Sequence, residues 1–203
     1  MPRQTINPYT NEVLKTFADA TDEEIEQTLT TADKLYHEMK HQTINERAII
    51  LHQIADYLRE HKSELAKVMT LEMGKLISES EGEVELCAII ADYFADHGEA
   101  MLQPTLLHTM ATGEAKIYKH ATGVILAVEP WNFPYYQIMR VFAPNFMVGN
   151  PMILRDAANI PWSAQTFAEM AIKAGAPVGS ITNLFMSYDQ VSQLIADPRI
   201  QGV

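Results

Sequence analysis

From Val124 to the end of the chain, short apolar runs alternate with helix-length segments, and this alternation constrains the fold more than any other feature. Residues 124–128 form a wholly apolar run of strand length, as a buried parallel strand requires. Helical spacing then predicts a helix over 136–147, ending before Gly149-Asn150. Residues 152–154 make the next strand, 161–174 a helix closed by Gly175, 181–186 a third strand and 190–196 a third helix. Residues 200–203 open a fourth strand. Short joints between such elements predict right-handed crossovers in a parallel sheet covered by helices on both faces. The expected class is α/β, with N-terminal helices packed on a doubly wound sheet that breaks off at its fourth strand. Because the chain stops as that strand begins, it reads as a truncated piece.

The first hundred residues read as helices behind a short extended entry. Thr21 with Glu24, and Thr43 with Glu46, have the form of capping boxes. Ile25, Leu29, Ala32, Tyr36 and Met39 recur at helical spacing after the first box. Ile49, Ile50, Ile54, Ala55 and Leu58 do so after the second. A third helix is expected over 78–102, burying Val84, Ile89, Ile90, Tyr93 and Phe94. Glu79, Glu81, Glu83 and Glu85 read as its solvated, acidic start. Pro104, Gly113 and Gly123 then punctuate extended stretches, and residues 115–120 alternate as a half-exposed strand. Three units follow: a helical part over 1–107, an extended segment over 108–122 and the strand–helix part over 123–203.

Composition excludes several classes. The chain of 203 residues is 47% hydrophobic and 20% charged, a globular balance. Its net charge of −11 disfavours a nucleic-acid partner. Cys87 is the one cysteine, so no internal disulfide forms, and a reducing, cytoplasmic setting is the natural reading. No secretory signal is visible, and no apolar run is long enough for a membrane span.

The joint after the first parallel strand reads Glu129-Pro130-Trp131-Asn132-Phe133-Pro134. Ligands of doubly wound sheets sit at the carboxyl ends of the strands, which puts this turn in the right place. Two prolines fix the backbone around Asn132, whose carboxamide could donate to an oxyanion. On physical grounds alone, the same turn reads first as a packed corner.

The run from Gly123 to Asn150 closely resembles the aldehyde dehydrogenase superfamily, and Pro-Trp-Asn-Phe-Pro is among the most specific signatures of that family. Asn7-Pro8, Glu46-Arg47, the run Leu71-Glu72-Met73-Gly74-Lys75, residues 151–155 and Gly175-Ala176-Pro177-Val178-Gly179 match in order, so the likeness covers essentially the whole chain. It looks most like the succinate-semialdehyde branch. The resemblance implies a partial Rossmann-like NAD(P) domain. It also implies a cysteine thiolate attacking an aldehyde, with Asn132 holding the oxyanion, and a glutamate activating water for acid release. Val128, Pro130, Trp131 and Asn132 would line the cofactor cleft. Arg155 stands where a ribose-binding lysine is usual, and Ala158 where many NAD-preferring members carry a glutamate. NAD or NADP is the implied cofactor, and the loss of that carboxylate implies tolerance of a 2′-phosphate. The implied nucleophile, general base and glycine-rich turn would all lie beyond Val203, so the chain alone is expected to be inactive. Residues 115–120 resemble the family's subunit-contact strand, which implies a homo-oligomeric parent. The alternative is a non-catalytic fragment that binds nucleotide or pairs with other subunits.

His37-Glu38-Met39-Lys40-His41 also fits the zinc-peptidase pattern. Counting about 100° per residue puts both histidines opposite the apolar arc of their helix, and a solvated face is the better reading, with no metal expected. Cys87, among Leu86, Ile89 and Ile90, reads as a buried inert thiol.

Overall fold

The structure, a computed structural model, describes residues 3–110 and 112–203; Met1, Pro2 and Ala111 lie outside the described residues. The chain enters through an antiparallel pair, β1 (Arg3–Ile6) and β2 (Val13–Phe17). Four helices follow: α1 (Asp22–Met39), α2 (Ile44–Glu60), α3 (Lys62–Met73) and α4 (Ile77–Leu102). A second antiparallel pair, β3 (Thr105–Leu107) and β4 (Ala115–Ile117), leads to the alternating part. That part runs β5 (Val124–Glu129), α5 (Pro134–Val148), β6 (Met152–Asp156), α6 (Pro161–Lys173), β7 (Ile181–Asn183), α7 (Tyr188–Ile195) and β8 (Ile200–Gly202).

Both expected capping boxes form. The Thr21 and Thr43 hydroxyls accept from the amides of Glu24 and Glu46, whose carboxylates accept in turn from the capping amides. The four strands order as β7-β6-β5-β8, all parallel. The side chains alternate between the two faces, as strand geometry requires. Val124, Leu126 and Ile153 pack under α1 and α7 with Leu29, Ala32 and Leu194. Ala127, Met152 and Leu154 face the other way, into the larger core with Phe142, Phe146, Phe167, Leu51 and Ile54. That second face is therefore covered by α7 and by α1, which comes from the N-terminal part of the chain.

Three expectations need correction. Residues 62–73 form a helix, α3, that periodicity did not reveal: it follows α2 after a single residue, so the two patterns merge. Ile89 and Tyr93 are exposed, because α4 turns Val84, Cys87, Ala88, Ala91 and Ala95 toward the core instead. Small residues let α2 and α5 approach closely on that side, and the large ones are pushed outward. Glu83 is buried rather than solvated.

Helix ends at one pole of the molecule are closed by cations. Arg47, buried, donates from Nε to the Met147 carbonyl in the last turn of α5, and from Nη1 to the carbonyls of Met39 and Gln42. Lys119 donates to the Met101 carbonyl at the end of α4. Positive groups suit these carbonyl-rich ends. The cationic lining of a cavity of about 510 Å3 between these elements, which includes Lys40, Arg47 and Lys119, follows from this capping.

Phe146→Ala removes a fully buried ring stacked on Phe142 at 5.3 Å between centroids. The expected loss is about 3–5 kcal/mol in urea unfolding. Ile89→Ala is expected to change stability by no more than about 0.5 kcal/mol, and a loss comparable to that of Phe146→Ala would mean that α4 is rotated from the orientation described.

Candidate active-site cleft

The sheet order places the topological switch between β5 and β8, on either side of the first strand. The turn after β5 projects from its carboxyl end at this point, where such sheets take their ligands. Val128, Pro130, Trp131, Asn132 and Phe133 are all exposed. The Asn132 Oδ1 accepts weakly from Gln137 Nε2, at 3.5 Å.

The turn is held from behind. Pro134 occupies the first helical position of α5, and Phe133 provides no capping side chain. The amides of Tyr135 and Tyr136 would be left without partners. The Glu83 carboxylate, reaching across from α4, accepts both, at 2.8 and 3.0 Å. Its other oxygen pairs with Lys75, and the Lys75 ammonium lies 3.9 Å from the centroid of the Phe133 ring. The side chains of Lys75 and Glu83 are 8% and 1% exposed, so this ion pair is almost wholly screened from solvent.

The same device recurs one unit on. Pro161 opens α6, Ile160 offers no cap, and the amides of Trp162 and Ser163 are accepted by Glu72 from α3, at 2.7 and 2.8 Å. The hydroxyls of Ser163 and Thr5 complete four bonds to that carboxylate, each at 2.6 Å. Burial pushes the Glu72 carboxyl up, and these four donors oppose it. The readable signal for both glutamates is a proline at the first helical position with no polar residue before it. Such a helix needs an acceptor from elsewhere in the chain.

The proposed cofactor positions gather along β5 and β6. Val128 and Arg155 are register partners across the two strands, and so are Glu129 and Asp156. Trp131 and Ala158 line one cleft of about 540 Å3 with Gln4, Ile6, Pro8, Glu72, Met73 and Asn159. The three residues of the β1 hairpin were not foreseen, since nothing local in a short extended entry says which wall it will build. The Arg155 guanidinium lies 5.1 Å from the centroid of the Tyr188 ring, and its buried Nε has no hydrogen-bond partner. Asp156 does not neutralise it: burial first, then the charges of Glu129 and Glu72, push this carboxyl up to about 8.

Cys87 is fully buried, and burial raises its thiol well above the usual range, with the Glu83 charge adding to the effect. The thiolate is suppressed there. The His37 to His41 motif does not stay on one helix. α1 ends at Met39, and His37 pairs instead with Asp33 at 3.7 Å.

A doubly wound sheet with an open cleft at its switch point is the arrangement of dinucleotide-binding domains. The chain belongs to the aldehyde dehydrogenase family, whose model matches residues 2–203. It is 41% identical over 202 residues to an NADP(+) succinate-semialdehyde dehydrogenase of Deinococcus radiodurans, covering all of this chain and 42% of that one. A probable succinate-semialdehyde dehydrogenase [NADP(+)] of Synechocystis is 38% identical over 198 residues, with 98% and 43% covered. The crystal structure of succinic semialdehyde dehydrogenase from Streptococcus pyogenes, in complex with NADP+, superposes with a TM-score of 0.95 at 56% identity. That match covers 98% of this chain and 44% of the other. The chain thus spans less than half the length of these relatives.

Removing one partner of the buried clamp leaves a stranded charge. Glu83→Ala is expected to cost about 3–5 kcal/mol in urea unfolding, and Lys75→Met with Glu83→Gln together much less than that. Equal losses in the two variants would show that the ion pair does not hold the turn. Asp156 gives a pH signature. Its folded value is raised above the unfolded one, so its contribution to stability is intact below about pH 4 and is lost as pH rises toward about 8. Asp156→Asn should raise the urea midpoint at pH 8.5 and leave it nearly unchanged at pH 4. No gain at pH 8.5 would mean that the carboxyl ionises there without penalty.

Proposed function

We propose that this chain supplies the cofactor cleft and the oxyanion-holding turn of an enzyme that oxidises an aldehyde to a carboxylic acid with NADP, and less readily with NAD. The observation that carries this reading is the Pro130–Pro134 turn. It stands at the switch point of the sheet, exposes Asn132 and is braced from beneath by Lys75 and Glu83.

In this reading the Asn132 carboxamide donates an N–H to the carbonyl oxygen as it gains negative charge. A rigidly placed donor of this kind is worth a factor of about 10²–10³ in turnover. The Lys75–Glu83 clamp supplies the rigidity without touching substrate. Val128, Pro130 and Trp131 flank the dinucleotide, which when bound supplies the hydride acceptor. Arg155 places positive charge at the ribose end, and Ala158 brings no carboxylate to repel a 2′-phosphate. The attacking thiolate is not Cys87, which burial keeps protonated and out of reach. The chain alone therefore binds and positions but does not turn over.

The names of the relatives support succinate semialdehyde as the substrate. Among the described residues no helix is long and apolar enough to cross a membrane. The β3–β4 pair, with Leu106, Leu107, Ile117 and Tyr118 exposed, suits subunit pairing in a homo-oligomer.

Calorimetric titration of the chain should give tighter binding of NADP than of NAD, and Arg155→Gln should bring the two together. Tighter NAD binding by the unaltered chain would overturn the cofactor assignment. With succinate semialdehyde and NADP the chain alone should form no NADPH. Turnover lost on Asn132→Ala would show that another nucleophile within these residues is at work.

A further inference from the structure

The cavity of about 510 Å3 at the far end of α5 from the Asn132 turn has no role in the reading above. The 15 residues of α5 set the two places apart by about 20 Å. Lys40 from the end of α1, Arg47 from α2 and Lys119 from the segment after β4 all line this cavity, as does His120. No aspartate or glutamate lines it. Tyr36, Met39, Ile44, Leu102 and Val148 give it an apolar wall.

Helix ends place these cations, but capping does not occupy all of their donors. Arg47 is buried and directs its bonds to the carbonyls of Met39, Gln42 and Met147, which fixes the shape of the cavity. Burial depresses its guanidinium, and the exposed Glu46 opposes this only in part. Lys40 bonds His37 Nδ1, and its ammonium lies 4.1 Å from the centroid of the Tyr36 ring. Lys119 donates to the Met101 carbonyl. An ammonium has three N–H donors, so each exposed lysine keeps others for a ligand. Among the described residues none of the three cations forms an ion pair. In a chain of net charge −11 this cavity reverses the prevailing sign.

We propose that the cavity is a second ligand site, separate from the cofactor cleft, for a small organic anion with an apolar body. The carboxylate head of such a ligand takes the free donors of Lys40 and Lys119, and Arg47 adds its field from the buried side. The apolar body covers Tyr36, Ile44, Leu102 and Val148. The volume falls within the range of roughly 300–1,000 Å3 usual for small-molecule sites. An inorganic ion would answer the charge but leave the apolar wall in water.

The test is an NMR titration of the full chain with hexanoate, 1-hexanol and inorganic phosphate, read at the amides of Leu102, Ala121 and Gly149. Hexanoate should shift these signals saturably and bind more tightly than either of the others. Lys40→Gln with Lys119→Gln should weaken hexanoate by about tenfold and leave the hexanol response unchanged. The amide spectrum itself reports whether the variant is folded, and Lys40→Arg with Lys119→Arg should keep hexanoate binding. Equal weakening of hexanoate and hexanol would mean that the lysines only shape the cavity, which overturns the proposal. Phosphate binding as tight as that of hexanoate overturns the ligand class. Hexanoate shifts that are absent at these amides, do not saturate, or persist in the glutamine variant overturn the site.

Discussion

The carboxylate of Glu83 on the first two amides of α5 is the interaction on which the rest of the cleft depends. A helix opened by proline with no capping residue leaves its remaining free amides pointing at whatever lies ahead of it. Here a buried glutamate from α4 fills that place, and Glu72 from α3 fills the equivalent place ahead of α6. Each carboxylate meets both the free amides and the positive end of the helix dipole, and this offsets part of the cost of burying it. The helical layer and the sheet are thus joined by electrostatics at defined atoms as well as by their shared apolar core.

This has a consequence for ligand binding. Helix N-termini in doubly wound folds are ready anion sites, and a glycine-rich first turn commonly exposes one to a pyrophosphate. In this chain the N-termini of α5 and α6 already hold protein carboxylates, and no Gly-x-Gly-x-x-Gly occurs in the sequence. The open cleft lies instead along the turn after β5 and the segment after β6. Trp131 and Ala158 line the cleft at that place. The opposite pole shows the complementary rule, with Arg47 and Lys119 on helix C-terminal carbonyls.

Much of the architecture was legible in the sequence because it is local. The capping boxes at Thr21 and Thr43, the apolar runs that became β5 and β6, and the glycine at the end of α5 each depend on a few neighbouring residues. The turn around Asn132 was recognisable as a motif, and β5 carries it to the switch point. Ile89 and Tyr93 were misread because α4 is apolar on more than one side, and periodicity alone does not choose among them. The helix α3 was missed where two helical patterns adjoin.

The sequence by itself determined the order of the elements, their caps and the rigid turn that presents Asn132, since these follow from backbone sterics and spacing over a few residues. Only the tertiary structure decided which of four alternating glutamates, Glu79, Glu81, Glu83 and Glu85, goes inside. It also decided that Glu72 and Thr5 meet ahead of α6, and that Arg3 arrives beside Arg155. Such partners lie far apart along the chain and have no common periodicity. Their pairing is selected by the free energy of satisfying a buried charge, a quantity defined only once the surrounding layers have closed around it.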